Sequence, residues 1–300
     1  MSAPTSDPSK KAPRSRTKDS VLGQSLRKID PGQLVFRRFH LERELGEGAM
    51  GVVWLARDER DNDQRVALKF LSDFITGHEA ALTGLQREVR RARTLSHPGI
   101  VTVYDFHANH AEHLSTISME WIDGPSVADI HGEQPDRCFE PEELVSWLHQ
   151  LCNALTYLHG KAGIVHGRIK PGNIMIGEHG HLKLADTGFG DDLEDNHDER
   201  PSCALPYMSP QQVKKEPAHP SDDIYAIGAT FYELLAGTPP FHRGPPKSIL
   251  FQIENDEPQS INERRQQQRI VGRPPIPPEW ETLLADCLAK HCSRFRATKA

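Results

Sequence analysis

Short runs of alternating apolar and polar residues fill the first third of the chain. Phe39 to Leu45, Gly51 to Arg57 and Arg65 to Phe70 are β-prone, joined by a glycine turn and by the polar turn Asp58 to Asp63. The period then changes. Leu82, Leu85, Val89, Ala92 and Leu95 recur at three- and four-residue spacing and predict an amphipathic helix. Two further strands are predicted, Val101 to Phe106 and Leu114 to Trp121, flanking a polar tip. Beyond Trp121 the helical period dominates. From Glu142 to His159 the residues Leu144, Trp147, Leu148, Leu151, Leu155 and Leu158 fall on one face, with Pro141 suited to a first turn. A loop-rich stretch from Gly163 to Pro210 precedes a second apolar helix, Asp222 to Ala236. Pro258 to Pro278 is polar and proline-punctuated, and a last helix is predicted from about Glu279 to Lys290. This order, sheet first and helices after, predicts an α+β fold of two lobes around a cleft.

The first 35 residues are rich in Ser, Pro, Lys and Arg and lack apolar periodicity, so they are expected to form a disordered basic arm. The folded part is expected to span residues 36–300, divided near residue 121. Composition adds exclusions. With 37% hydrophobic residues and a formal net charge of -6, the chain suits a globular protein and argues against nucleic acid as the main partner. No stretch approaches the roughly 18 apolar residues of a membrane span. The N-terminus lacks the apolar core of a secretory signal, and the five cysteines are odd in number and mostly dispersed. Reduced thiols and a cytoplasmic location follow as expectations.

The candidate chemistry begins at Leu45-Gly46-Glu47-Gly48-Ala49-Met50-Gly51-Val52-Val53. Glycines at 46, 48 and 51 between two strands let a hairpin backbone approach phosphates, and the strand that follows disfavours a dinucleotide fold. Eighteen residues on, Val66-Ala67-Leu68-Lys69 places a lysine on the third strand, and Glu88 on the following helix is positioned to pair with it. With these motifs in this order, the chain resembles the bacterial serine/threonine protein kinases built on the eukaryotic kinase fold. The resemblance runs from about Phe39 onward. It implies a sheet-rich N-lobe with one helix, a mainly helical C-lobe, and ATP and Mg2+ as cofactors. It makes Gly46, Gly48, Gly51, Val53, Ala67, Lys69, Glu88, Met119, Glu120 and Ile122 nucleotide-site residues, with Met119 as gatekeeper and the Glu120 and Ile122 backbones toward adenine. Asn173 and Asp186, the latter in Asp186-Thr187-Gly188, are the implied magnesium ligands, and Asp223 the anchor of the catalytic loop. His166-Gly167 is also reminiscent of aminoglycoside-type phosphotransferases, whereas Tyr207-Met208-Ser209-Pro210-Gln211-Gln212 favours protein kinases.

One loop departs from the pattern. Where relatives read His-Arg-Asp, four residues, then Asn, this chain reads His166-Gly167-Arg168-Ile169-Lys170-Pro171-Gly172-Asn173. The spacing is kept, so Arg168 substitutes for the aspartate that orients the substrate hydroxyl, while Lys170 is retained. A guanidinium only donates and stays protonated, so Arg168 cannot serve as that acceptor. Gly167, Ala204, Thr187 and Gln211 also replace expected Arg, Thr, Phe and Glu, and Thr187, Ser202 and Ser209 are the aliphatic hydroxyls between Asp186 and Pro210. The family's late C-lobe arginine has an approximate counterpart at Arg294. Three readings stay open: a pseudokinase that binds ATP-Mg and regulates an unidentified protein partner by shape, a slow Ser/Thr kinase, and transfer of another part of ATP. His107, His110 and His113 are read as a solvated turn in preference to a metal site, and Asn262 to Arg269 as a polar helix face.

Overall fold

The computed structural model describes residues 29–48, 51–109, 111, 113–187 and 204–290. The N-lobe is a six-stranded antiparallel sheet in the order β1-β2-β3-β4-β6-β5. Its strands are β1 (Leu34–Val35), β2 (Phe39–Gly48), β3 (Gly51–Asp58), β4 (Gln64–Leu71), β5 (Val103–Asn109) and β6 (Leu114–Glu120). Between β4 and β5 lie a single turn, α1 (Asp73–Thr76), and α2 (Glu79–Ala92), which buries Leu85, Val89 and Ala92. The sequence anticipated one helix here, and the short α1 is additional.

The outer face of the sheet has its own apolar core of Phe39, Leu41, Trp54, Leu68 and Phe70. Ile29 and Val35 join it, and Leu34 and Val35 pair with His40 and Phe39. The boundary set at residue 35 is therefore too late: residues 29–35 belong to the folded lobe, and residues 1–28 lie outside the described part. Two apolar side chains too sparse to make a pattern are enough to add an edge strand to an existing sheet.

The C-lobe begins with α3 (Val127–Glu133) and α4 (Pro141–Thr156), the latter running on into a wider π turn, Tyr157–Ala162. A short hairpin, β7 (Ile174–Ile176) with β8 (Leu182–Leu184), follows. It ties the lobes together: the Val101 N–H donates to Leu184 O at 3.0 Å, and the Leu184 N–H to Gly99 O at 2.9 Å. After α5 (Pro210–Val213) comes the central helix α6 (Pro220–Ala236), apolar almost all round and buried over most of its length. Gly237, at φ 80°, ends it in the left-handed conformation that glycine adopts without strain. Three helices complete the lobe: α7 (Pro246–Asn255), α8 (Ile261–Gln267) and α9 (Pro278–Cys287).

Helix α8 corrects the polar-face reading of residues 262–269. Arg264 and Arg265 are 5% and 4% exposed. The Arg265 guanidinium donates to Leu235 O at 2.7 Å and Phe139 O at 2.9 Å, and Arg264 to Pro240 O at 3.0 Å. These side chains satisfy carbonyls that helix ends and loops leave without partners, which charge patterning alone does not reveal.

Candidate functional site

The β2–β3 hairpin forms the roof of the cleft, with Gly46 opposite Val53 and Gly48 opposite Gly51. The three glycines differ. Gly51 has φ 141°, and a Cβ there would stand 1.8 Å from Phe70 O, so the fold itself requires glycine. Among the described residues a Cβ at Gly46 or Gly48 would meet nothing within 4 Å.

Pleating places the next residues. Val53 pairs with Lys69 across β3 and β4, and Ala67 with Met119 across β4 and β6, so roof, lysine and gatekeeper lie on adjacent strands. Ala67 and Met119 are buried and Val53 half-buried. Lys69 Nζ is 2.8 Å from both carboxylate oxygens of Asp186. The lysine is thus held by Asp186, and Glu88, its expected partner, stands half-buried on α2. Burial opposes ionisation of Asp186, but Lys69 first, then Arg168 and Lys170, hold its carboxyl below the ordinary range.

The segment after β6 is fixed by its side chains and its carbonyls. Glu120 accepts from Lys183 Nζ at 2.7 Å and from the Thr102 N–H at 3.1 Å, while the Ile122 carbonyl accepts the Gly124 N–H at 3.0 Å. One of the Ile122 backbone groups assigned to adenine is therefore engaged within the chain. Gly124 is needed for close approach, because a Cβ there would lie 1.9 Å from Ile176 O.

Across the cleft, the loop from His166 to Asn173 is fastened from below by Asp223 on α6. One Asp223 oxygen accepts the His166 N–H at 2.8 Å and lies 2.7 Å from His159 Nε2; the other accepts the Gly167 N–H at 2.7 Å. Gly167 sits at φ 75°, where a side chain is disfavoured. His166 is fully buried, and burial keeps its ring neutral by lowering its pKa. Its Nε2 donates to Ala185 O at 3.0 Å and its Nδ1 accepts the Arg168 N–H at 3.2 Å. Asn173 Nδ2 donates to Arg168 O at 2.8 Å, leaving its Oδ1 as the atom suited to a hard cation. The donor pair Asn173 and Asp186 fits magnesium in chemistry, although both oxygens of the carboxylate are bonded to Lys69.

Several supports escaped the sequence reading. Gln212 Nε2 donates to Gly167 O at 3.0 Å, and the Ser209-to-Gln212 capping box that orients it was legible as Ser-x-x-Gln. His159 and Lys183 carried no signal of their own. Gln211, in place of the expected Glu, donates to Lys290 O at 3.1 Å. Among the described residues no group of three or more His, Cys, Asp or Glu could hold a metal. His107 lies 2.9 Å from Ser118 Oγ and packs edge-on against Phe39, and His110 lies outside the described residues, as does Arg294.

A two-lobed fold with a glycine hairpin, a lysine bonded to a cleft aspartate and an asparagine-bearing loop anchored on the central helix defines a protein kinase. The protein kinase domain profile matches residues 39–300, and the chain belongs to that family. It is a member of the bacterial eukaryotic-type Ser/Thr branch. It is 32% identical over 260 residues to a probable serine/threonine-protein kinase of Streptomyces coelicolor, covering 84% of this chain and 37% of that protein. It is 31% identical over 262 residues to the serine/threonine-protein kinase PknB of Mycolicibacterium smegmatis, covering 85% of this chain and 40% of that protein. With PknB of Mycobacterium tuberculosis the identity is 33% over 229 residues, covering 74% and 36%. The chain thus spans well under half the length of these relatives.

Proposed function

We propose that this kinase domain binds ATP in the interlobe cleft and acts as a pseudokinase, regulating a protein partner in the cytoplasm through its shape. One observation carries the reading. The catalytic loop keeps its fastenings, Asp223 to His166 and Gly167, and Asn173 to Arg168, while the side chain at its reactive position is a guanidinium. A misaligned or collapsed loop would have explained Arg168 away; a well-fastened one leaves a cation where the family places its acceptor.

Nucleotide binding is supported from the roof. Among the described residues neither packing nor a left-handed φ demands glycine at 46 or 48, which supports close approach of a ligand's phosphates there. Lys69 is poised for those phosphates, with Val53, Ala67 and Met119 as apolar neighbours of the base and the Glu120 and Ile122 backbones beside it. Asp186 and Asn173 would hold magnesium, which when bound neutralises triphosphate charge and orients the terminal phosphoryl group. Regulation by phosphorylation at the loop's end is disfavoured. Thr187 and Ser209 are 4% and 0% exposed, and Ser209 Oγ is committed to Asp222 Oδ1 at 2.6 Å. Ser202 lies outside the described residues.

A slow Ser/Thr kinase is the second reading, favoured by the retention of Lys69, Lys170, Asn173 and Asp186 together, since metal and positioning carry much of phosphoryl transfer. Incubation with Mg2+, γ-labelled ATP and a generic basic substrate, beside Asp186→Asn and Arg168→Asp, separates the two. The pseudokinase reading expects no transfer by the wild type and transfer gained by Arg168→Asp. A label on the wild type that vanishes in Asp186→Asn overturns it.

A further inference from the structure

Helix α2 has two unlike faces. Leu85, Val89 and Ala92 are buried, and at about 100° per residue they lie opposite Arg87, Arg90 and Arg91, all three exposed. These arginines stand three and four residues apart, so they form one strip whose side chains start about 5–6 Å from one another. None of the three guanidinium groups makes an ion pair or a hydrogen bond among the described residues. Their neighbour Arg93 shows the alternative, with Nη1 3.0 Å from Asp105 on β5.

Like charges at this spacing destabilise a helix. Glu88, the one acid three or four residues from any of the three, is half-buried. The helix dipole favours cations in the last turn, which accounts for Arg90 and Arg91. It does not account for Arg87 a turn earlier, or for the gathering of all three on one strip. An anion from outside the chain does. A guanidinium grips a carboxylate through two parallel N–H bonds, a planar contact that suits a protein surface. Nucleic acid fits less well: three cations neutralise few phosphates, and a net charge of -6 repels a long polyanion. An acidic helix fits closely, because carboxylates at i, i+3 and i+4 repeat the spacing of the strip.

We infer that the outer face of α2 is a docking surface for an acidic helical segment of a partner protein, with Arg87, Arg90 and Arg91 each meeting an Asp or Glu. This goes beyond the pseudokinase reading and does not depend on nucleotide binding, since none of the three belongs to the cleft residues. The attraction acts between exposed charges and is screened within about 8–10 Å at ordinary ionic strength, so binding weakens as salt rises.

The test is fluorescence anisotropy at low ionic strength with a labelled alanine-based helical peptide carrying glutamates at i, i+3 and i+4. A peptide of the same composition with its glutamates spread around the helix, and a single-stranded DNA oligonucleotide, are run beside it. The proteins are the wild type, Arg87→Gln/Arg90→Gln/Arg91→Gln, and Lys214→Gln/Lys247→Gln/Arg269→Gln, which removes three exposed cations elsewhere. Each is first shown to be folded by thermal melting. The α2 variant is expected to weaken the aligned peptide about tenfold or more and the control variant less than about threefold. Arg87→Gln alone, expected to weaken it about threefold, repeats the comparison with a single change. Failure of the wild type to bind the aligned peptide, equal losses in the two triple variants, or equal binding of the two peptides overturns the inference. Tighter binding of the oligonucleotide than of the aligned peptide also overturns it and assigns the strip to nucleic acid.

Discussion

The glycine hairpin above the cleft and the catalytic loop below it are held with equal care, yet their side chains have diverged in opposite ways. In the hairpin, Gly51 is fixed by the fold, and Gly46 and Gly48 keep open space that nothing among the described residues fills. In the loop, the backbone fastenings survive while the reactive side chain has become a donor. The lesson is that geometry and chemistry separate cleanly in this fold: a buried carboxylate beneath the loop sets its shape, so the residue on top can change without the loop collapsing.

The sharpest way to break that comparison is at the anchor. Asp223 has a fully buried side chain that accepts two backbone N–H groups and contacts His159. Asp223→Ala strands those donors, and a loss of about 3–5 kcal/mol is expected from chemical denaturation. A loss comparable to an ordinary surface change would mean that the loop is not fastened from α6.

The roof offers the next largest effect. Gly51→Ala forces a Cβ into Phe70 O and a side chain into φ 141°, and about 3 kcal/mol of destabilisation is expected from strain and overlap together. Gly48→Ala and Gly46→Ala should instead alter stability by less than about 0.5 kcal/mol, since nothing among the described residues lies within 4 Å, while weakening nucleotide binding. Parallel melts and nucleotide titrations of the three variants check the split. Equal stability losses at all three would remove the argument for a ligand-facing pair.

A third effect lies below the loop, on α6. Glu233 is largely buried, accepts the Tyr207 hydroxyl, and is raised by burial from 4.5 to about 6. Between those values the folded protein keeps a proton that the unfolded chain releases. Glu233 therefore makes stability fall as pH rises from about 4.5 to 6, by about 2 kcal/mol, with the full contribution present below 4.5. Glu233→Gln should flatten that segment of the stability-pH curve relative to wild type. An unchanged slope would place the titration elsewhere.

How much of this was readable from residues alone depended on how local each signal was. Strands β2 to β6 and the long helices α2, α4 and α6 have strong periods and were legible to within a few residues, whereas β7 and β8 lie in the stretch read as loop-rich. Leu34 and Val35 were not, because an edge strand of two residues has no period to detect. The burial of helix α8 was hidden by its polarity: Arg264 and Arg265 look solvated until the carbonyls they satisfy are seen. In the cleft, motif spacing pointed to Lys69, Asn173 and Asp186. It named Glu88 as the lysine's partner and did not foresee the bond to Asp186, an acid distant in sequence that only the folded chain brings to it. Gln212, His159 and Lys183 act through folded proximity, and apart from the capping box no pattern announced them.

The smallest effect concerns the residue that follows Asp186. Thr187 is 4% exposed, and its hydroxyl has no hydrogen-bond partner among the described residues. A buried hydroxyl without a partner costs about 1–3 kcal/mol of desolvation, whereas a methyl in its place costs nothing of the kind. Thr187→Val keeps the branched shape and should stabilise the domain by about 1 kcal/mol, with nucleotide affinity unchanged because Asp186 keeps its lysine. The comparison with the roof makes this informative. If the slot beside Asp186 has drifted merely to fill space, valine improves it and denaturation midpoints rise. If valine instead lowers stability, the hydroxyl is satisfied, and the floor of the cleft has been rebuilt around threonine as deliberately as the roof is kept around glycine.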